Sequence, residues 1–278
     1  MKHILITGVS TGIGEGILLE LIRNGYFVFG TVRNPKDARR LQKEINSDLF
    51  FPVIADITQN KTVQAAYKVI QKKLASNPLD AVINNAGILI GGPFLHLDIE
   101  QYRQVMEVNF FGMVNIMKTF IPLMGNVHKK NPARIINISS VLGHYGLPYI
   151  STYTASKFAV EGFSDSVRRE LEKLNIKIIV LIPGAVKTRI FAKNATDDYA
   201  YAKDSVFEKS GHNMRKQMLR REEQGISAQQ VGAQVVRILK SPKPKPRYHI
   251  TGSPWIEWYW PKYLPDKYLD FILGKMYR

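Results

Sequence analysis

Cysteine is absent from this 278-residue chain. Its absence excludes disulfides, thiolate metal sites and cysteine nucleophiles, and says little about compartment. No metal is expected. Acidic residues are scarce beside basic ones, 23 against 39, which leaves a formal net charge of +16. A surface of that sign attracts polynucleotides, an anionic membrane or a cofactor with several phosphates, and otherwise is a solvated basic surface. No base-reading element accompanies the charge, so nucleic acid is not an expected partner. Long apolar runs are missing as well. The longest, around residues 176–186, falls short of the ~20 residues that span a bilayer. A strand-like run begins at His3 and leaves no room for a signal peptide, so the expected location is cytoplasmic. Tryptophan is rare, and all three copies gather at Trp255, Trp258 and Trp260.

What the chain does have is alternation. With 45% apolar residues it can bury one substantial core. Apolar runs at residues 3–7, 27–32, 50–54, 81–83, 134–139, 177–182 and 248–251 alternate with amphipathic stretches, the pattern of parallel strands with helical crossovers. Helices are expected from the glycine turn to Asn24-Gly25 and over residues 36–46, 61–76, 99–123 and 152–174. The expected fold is α/β, a doubly wound parallel sheet in one domain (residues 1–252), with ligands outside the carboxyl ends of the strands. Residues 185–226 lose the periodicity yet keep Phe191, Tyr199, Tyr201, Phe207, Met214 and Met218; they form a substrate lid or an ordinary surface helix pair. Residues 253–278 form an aromatic, helical extension. Three readings stand for it: packing on the core or on a partner subunit, a wall of a lipophilic pocket, or peripheral membrane contact through Trp and Tyr beside Lys262, Lys267 and Lys275.

Chemistry is expected where Tyr153 and Lys157 stand four residues apart at the head of a helix, on one face. A free phenol has a pKa of about 10, and an ammonium about 5 Å away favours the phenolate by about 3 kcal/mol, lowering that value by about two. Tyr153 would then exchange a proton with an alcohol or carbonyl near neutral pH. Ser140 follows the apolar run 134–139, where its hydroxyl can meet the same substrate oxygen. Leu142, His144, Tyr145 and Tyr149, between Ser140 and Tyr153, are expected with Phe191 at the substrate mouth.

A cofactor end is visible too. Thr7, Gly8, Val9, Ser10, Thr11, Gly12, Ile13 and Gly14 follow the first strand and open the first helix, where glycines let a pyrophosphate approach the helix N-terminus. The second strand ends in Val32 and Arg33 with no carboxylate for a ribose 2′-hydroxyl, which favours NADP(H), with NAD as the alternative if Arg33 is only a solvated charge. Asp56 and Ile57 follow the third strand; Asp56 can accept from the adenine amino group or cap the next helix, with Thr58 competing for that cap. Asn85, Ala86 and Gly87 end the fourth strand with small residues, as close packing on a ribose demands. Asn109, polar within an apolar helix, either bonds the preceding turn or holds a water that passes protons to Lys157. After the sixth strand, backbone at Pro183, Gly184 and Val186 can meet the nicotinamide carboxamide, with Thr188 near the diphosphate or amide.

These motifs, TGxxxGxG at 7–14, NNAG at 84–87, an Asn within a long helix, Ser140 before YxxxK, and PGxxxT at 183–188, resemble in order and spacing the short-chain dehydrogenase/reductase family over residues 3–190. The resemblance implies a Rossmann fold with Asn109, Ser140, Tyr153 and Lys157 as catalytic tetrad. Tyr153 would be the acid/base and Ser140 would polarise the substrate oxygen. Lys157 would bind the nicotinamide ribose and acidify Tyr153, while Asn109 held the relay water. Gly30-Thr31-Val32-Arg33, residues 153–162 and residues 263–273 further resemble the 17β-hydroxysteroid and retinol dehydrogenase branch, in which an arginine equivalent to Arg33 accompanies NADP. The resemblance implies interconversion of an alcohol with a ketone or aldehyde on a steroid-, retinoid- or fatty-chain-like substrate, by a homodimer or tetramer. The rival expectation is a non-catalytic NADP-binding regulator, against which the intact tetrad argues.

Overall fold

Strands β1 (His3–Ile6), β2 (Phe27–Val32), β4 (Ala81–Asn84), β5 (Ala133–Ile138) and β6 (Ile176–Pro183) are buried along almost all their length. A run that is apolar on both faces, with no polar alternation, has to be covered on both sides. With β3 (Phe50–Ile54) and β7 (Arg247–Ile250) they make one seven-stranded sheet in the order β3-β2-β1-β4-β5-β6-β7, every pair parallel. All seven strands lie close to where the apolar runs put them. The computed structural model describes residues 1–125, 132–188, 190–191 and 205–277.

Helices cover both faces. On one, α1 (Gly12–Arg23) and α8 (Ala228–Lys240) bury Ile17, Leu21, Val231 and Val235 against Ile4, Ile6 and Val28. On the other, α3 (Asn60–Leu74), α5 (Gly112–Phe120) and α6 (Ser151–Leu171) bury Val63, Ile70, Ile116, Phe120 and Val160 against Leu5, Phe29, Val82 and Ile135. The remaining helix of the series, α2 (Pro35–Ile45), starts at Asn34, whose side chain accepts from the Lys36 amide at 2.8 Å. Strand order reverses at β1, with β2 and β3 on one side and β4 to β7 on the other. The crevice therefore opens at the carboxyl ends of β1 and β4, where a doubly wound sheet binds its ligand.

The long helix expected over 99–123 is one continuous rod with an irregular middle. Its first part, α4 (Ile99–Met106), runs into a π turn (Glu107–Phe111) before α5, and the Gly112 amide bonds the Glu107 carbonyl. The wide turn holds Asn109 buried and inward. Such turns recur at functional sites.

The buried stripe of α6 is polar rather than apolar: Thr152, Ser156, Lys157, Glu161 and Ser164 lie on it beside Val160. Burying such groups is tolerable only when each is bonded. Thr152 donates to the Ile90 carbonyl, Ser156 accepts from Asn109 at 2.9 Å, Lys157 donates to the Ile138 carbonyl at 2.9 Å, and Ser164 accepts from Asn137 at 2.9 Å.

Beyond the sheet, α7 (Glu208–Gln224) buries Met214 and Met218 toward the core. Tyr199 and Tyr201 of the expected lid lie outside the described residues. The extension forms a π turn (Trp255–Tyr259) and a last helix, α9 (Asp266–Tyr277). Its Trp258 is buried against His249 and His144, with ring centroids 3.7 and 4.5 Å away, and packs with Leu142, Tyr145 and Met214. Its outer side leaves Trp255, Ile256, Trp260, Tyr263 and Phe271 exposed. Among the described residues no helix is long and apolar enough to cross a membrane.

Candidate active site

A cavity of about 350 Å³ runs along the carboxyl edge of the sheet from Arg33 to Tyr153. The glycine turn lines its floor. Gly8 and Gly12 have φ of +71° and +66°, the left-handed region that a side chain disfavours. A Cβ on Gly14 would lie 2.1 Å from the Gly8 carbonyl oxygen and 2.6 Å from Asn85 Nδ2. Asn85 clamps the turn from the β4 side, donating from Nδ2 to the Thr7 and Gly8 carbonyls at 2.9 and 3.0 Å. Thr7 Oγ1 in turn accepts from the Asn85 and Ala86 amides, both at 3.0 Å. This cradle lies at the N-terminus of α1, where Thr11 makes no side-chain cap and first-turn amides stay available to a phosphate. The residues present fit a dinucleotide.

The other cofactor-side residues gather on the same cavity: Ser10, Thr11, Ile13, Arg33, Asp56, Ile57, Ala86, Gly87, Pro183, Gly184, Val186 and Thr188 all line it. Arg33 is exposed at the end of β2 and makes no hydrogen bond or ion pair among the described residues. Asp56 is not the cap of α3. Its Oδ1 accepts from the Thr58 amide and hydroxyl at 3.0 and 2.7 Å, closing a local turn, and the residue at the cap position is Gln59. Thr188 reaches over Gly12 but donates to Glu222 Oε1 at 2.8 Å, a partner that no motif announced. Arg40 is another such residue, donating to the Ser10 carbonyl at 2.6 Å.

At the opposite end, the Ser140 hydroxyl hydrogen-bonds the Tyr153 phenol and also accepts from the Leu142 amide at 3.2 Å. Strand β5 ends two residues before Ser140, and α6 brings Tyr153 up beside it. The expected acidification of Tyr153 is corrected. Tyr153 is pushed up to about 12 by burial, against a smaller downward pull from Ser140. Lys157 is itself pushed down to about 8 by burial, with Glu161 pulling the other way. Its Nζ stands 5.4 Å from the Tyr153 ring centre and gives its hydrogen bond to the Ile138 carbonyl. Loss of hydration is the largest influence on both groups.

Asn109 does not bond the preceding turn of its own helix. Its Oδ1 accepts from the Ile88 amide at 2.8 Å, and its Nδ2 donates to the Ile88 carbonyl and Ser156, both at 2.9 Å. The side chain locks the loop after β4 to α6. Two substrate-side expectations are corrected as well. His144 turns away from the cavity, its Nε2 3.4 Å from buried Glu161, because that carboxylate and Trp258 offer it a pocket behind the wall. Tyr149 holds α7 through a 2.6 Å bond to Ser210 and is not on the cavity wall. Leu142, Tyr145 and Phe191 do line it. Sequence reasoning missed Glu257, which lines the same cavity from the C-terminal extension, and Glu161, whose carboxylate binds Arg247 at 3.0 Å. The one available clue to Glu161 was its place one helical turn after Lys157. No group of residues that could hold a metal occurs among the described residues.

With the geometry in hand, residues 2–199 match the family described as short chain dehydrogenase. The chain belongs to that family. It is 31% identical over 276 residues to the NADPH-dependent 3-dehydrocapnine reductase of Ornithobacterium rhinotracheale, covering 99% of this chain and 97% of that one. A 3-ketodihydrosphingosine reductase of Bacteroides thetaiotaomicron is 31% identical over 278 residues, with the same coverage of 99% and 97%. Estradiol 17-beta-dehydrogenase 2 of Mus musculus is 34% identical over 194 residues, 68% of this chain and 49% of that one. This short-chain oxidoreductase thus keeps the doubly wound sheet and the order of motifs that its sequence announced.

Proposed function

We propose that the protein is an NADP(H)-dependent reductase of a ketone carried on a long-chain lipid. The observation that carries this reading is the contact between the Tyr153 and Ser140 hydroxyls in the same cavity as the glycine turn and Arg33. Gly8 to Gly14 hold the diphosphate, Arg33 pairs with the 2′-phosphate, and Asp56 and Ile57 flank the adenine. Asn85, Ala86 and Gly87 pack on ribose. Tyr153 and Lys157 face the nicotinamide ribose, and Pro183, Gly184, Val186 and Thr188 meet the carboxamide. The dinucleotide, when bound, supplies the hydride.

The chain's own groups handle the oxygen. Ser140 donates a hydrogen bond to the carbonyl oxygen, and Tyr153 passes its phenolic proton to that oxygen as the double bond becomes single. A phenol held at about 12 is fully protonated at neutral pH and is a far stronger acid than the alcohol it forms, so the resting site is poised for reduction. Lys157, at about 8, keeps its charge at neutral pH and offsets the phenolate left behind. Asn109 positions Ser156, three residues beyond Tyr153 on α6.

The substrate class rests on the cavity wall and on the relatives. Leu89, Leu142, Tyr145, Leu147, Phe191 and Met218 make that wall apolar, and both relatives matched over 99% of this chain are named for reductases of lipid ketones. Ile190, Phe191, Met218, Arg221 and Glu222 line the cavity from residues 185–226, which supports that segment as a lid. The exposed aromatic face of the extension suits a membrane interface, and exposed Ile99, Phe111 and Phe158 suit self-association through the long helices. With NADPH and a panel of long-chain ketones, steroid ketones and retinal, we expect cofactor oxidation with the long-chain ketones, at a kcat/KM at least about tenfold above that with NADH. Tight NADPH binding without oxidation across the panel would make the protein a binding module instead. Arg33→Ala is expected to raise the KM for NADPH by about tenfold or more and to leave NADH within about twofold, as loss of one charge-assisted contact to a phosphate predicts. Equal effects on both nucleotides would remove Arg33 from the 2′-phosphate site.

A further inference from the structure

A carboxylate stands on the cavity wall with one of its oxygens unbonded. Glu257 projects inward from the π turn of the extension, next to buried Trp258, while Trp255, Ile256 and Tyr259 on either side face out. The Ala185 amide bonds the carboxylate, but its Oε2 is buried and has no hydrogen-bond partner. Gly184 leaves it room: a Cβ there would sit 1.9 Å from Oε2. Burial raises the Glu257 pKa, against smaller pulls from the Ala185 amide, then the Thr251 hydroxyl, and last Arg221. A buried, unpaired carboxylate is costly unless a cation or donor meets it. Arg221, also on the cavity wall, attracts Glu257 only as the smallest of those pulls, and the other charged groups facing the cavity have other places or partners. Lys157 bonds Ile138, Glu222 accepts from Thr188 and Ile190, Asp56 accepts from Thr58, and Arg33 lies at the far end of the glycine turn.

We propose that Glu257 binds a protonated amine on the substrate, beside the ketone that Ser140 and Tyr153 handle, an inference that rests on the reductase reading above. The sheet puts the two groups at neighbouring strand ends. Gly184 follows β6 and Ser140 follows β5, two strands paired in register through Ile138 and Leu181, and adjacent strands lie about 4.8 Å apart. A lipid head with oxygen and nitrogen on neighbouring carbons suits groups at adjacent strand ends, with a hydrogen bond at each. The substrate class is therefore a long-chain α-amino ketone, its ammonium on Glu257 and its alkyl chain on the apolar wall.

The test compares 3-ketodihydrosphingosine, a 2-amino-3-ketone, with the chain-matched ketone lacking the amine, both with NADPH. Wild type is expected to prefer the amine-bearing ketone by about 10- to 100-fold in kcat/KM, as a charge-assisted contact predicts. The ratio is expected to fall to near one in Glu257→Gln and to recover in part in Glu257→Asp. Dodecylamine is expected to compete with substrate in wild type far better than dodecanol, a readout that needs no variant. No preference in wild type, an unchanged ratio in Glu257→Gln, or equal inhibition by amine and alcohol would each overturn the proposal. So would a KM for NADPH raised equally with both ketones in Glu257→Gln, which would put the carboxylate on the cofactor amide. Turnover of the ketone lacking the amine without discrimination sinks the amine site alone, whereas no turnover of either ketone sinks the reductase reading with it.

Discussion

Tyr153→Phe is expected to lower kcat by roughly 10³-fold while the NADPH dissociation constant moves by less than about threefold. The substitution removes one oxygen and keeps the ring that α6 packs beside Lys157. It also removes a hydroxyl that burial holds neutral, so thermal stability should not fall. What disappears is the proton donor next to Ser140 at the end of β5. Ser140 itself is a poor substitute, since an aliphatic hydroxyl is a far weaker acid than a phenol. Single-turnover kinetics with saturating NADPH separate the two quantities. Residual kcat within about tenfold of wild type would mean that the proton reaches the substrate by another route.

Gly14→Ala is the second large effect expected, and it acts on the cofactor end alone. The added methyl must displace the Gly8 carbonyl oxygen, 2.1 Å away, or Asn85 Nδ2, 2.6 Å away. Both belong to the clamp that fixes the turn, because Asn85 donates to the Thr7 and Gly8 carbonyls. Overpacking of this kind costs about 1–3 kcal/mol, or about 2–4 °C in Tm for each kcal/mol in a domain of this size. Loss of the cradle should weaken NADPH by about 100-fold or more. Calorimetric titration and a melting curve measure both, and unchanged NADPH affinity would show that the diphosphate does not rest on this turn.

The strands and the site were legible in sequence for one physical reason: strand periodicity, glycine turns and the YxxxK spacing are local. Residues 3–14 and 140–157 are each one short continuous stretch, so Gly8, Gly14, Ser140 and Tyr153 could be placed before any fold was known. What escaped depends on distant packing. The partners of Asn109 are Ile88 and Ser156, contributed by a loop and another helix. His144 turns away from the cavity because Glu161 and Trp258, far apart in sequence, meet behind its wall. Glu257 sits over Gly184 only because Trp258 seats the extension on the core. The direction of the Tyr153 pKa failed for a related reason: the Tyr153–Lys157 spacing shows the charge nearby, whereas the desolvation that overrides it is set by everything packed around the pair.

The polar stripe of α6 has a consequence for how activity is lost. Its side chains are fastened to segments after β4, in β5 and in the π turn, so catalytic geometry exists only when that one rod is seated against all of them at once. A partly melted molecule could keep its sheet and its glycine turn and still bind nucleotide, yet carry no chemistry. Inactivation on heating should accordingly come ahead of the loss of far-ultraviolet ellipticity, with α6 undocking as the common event.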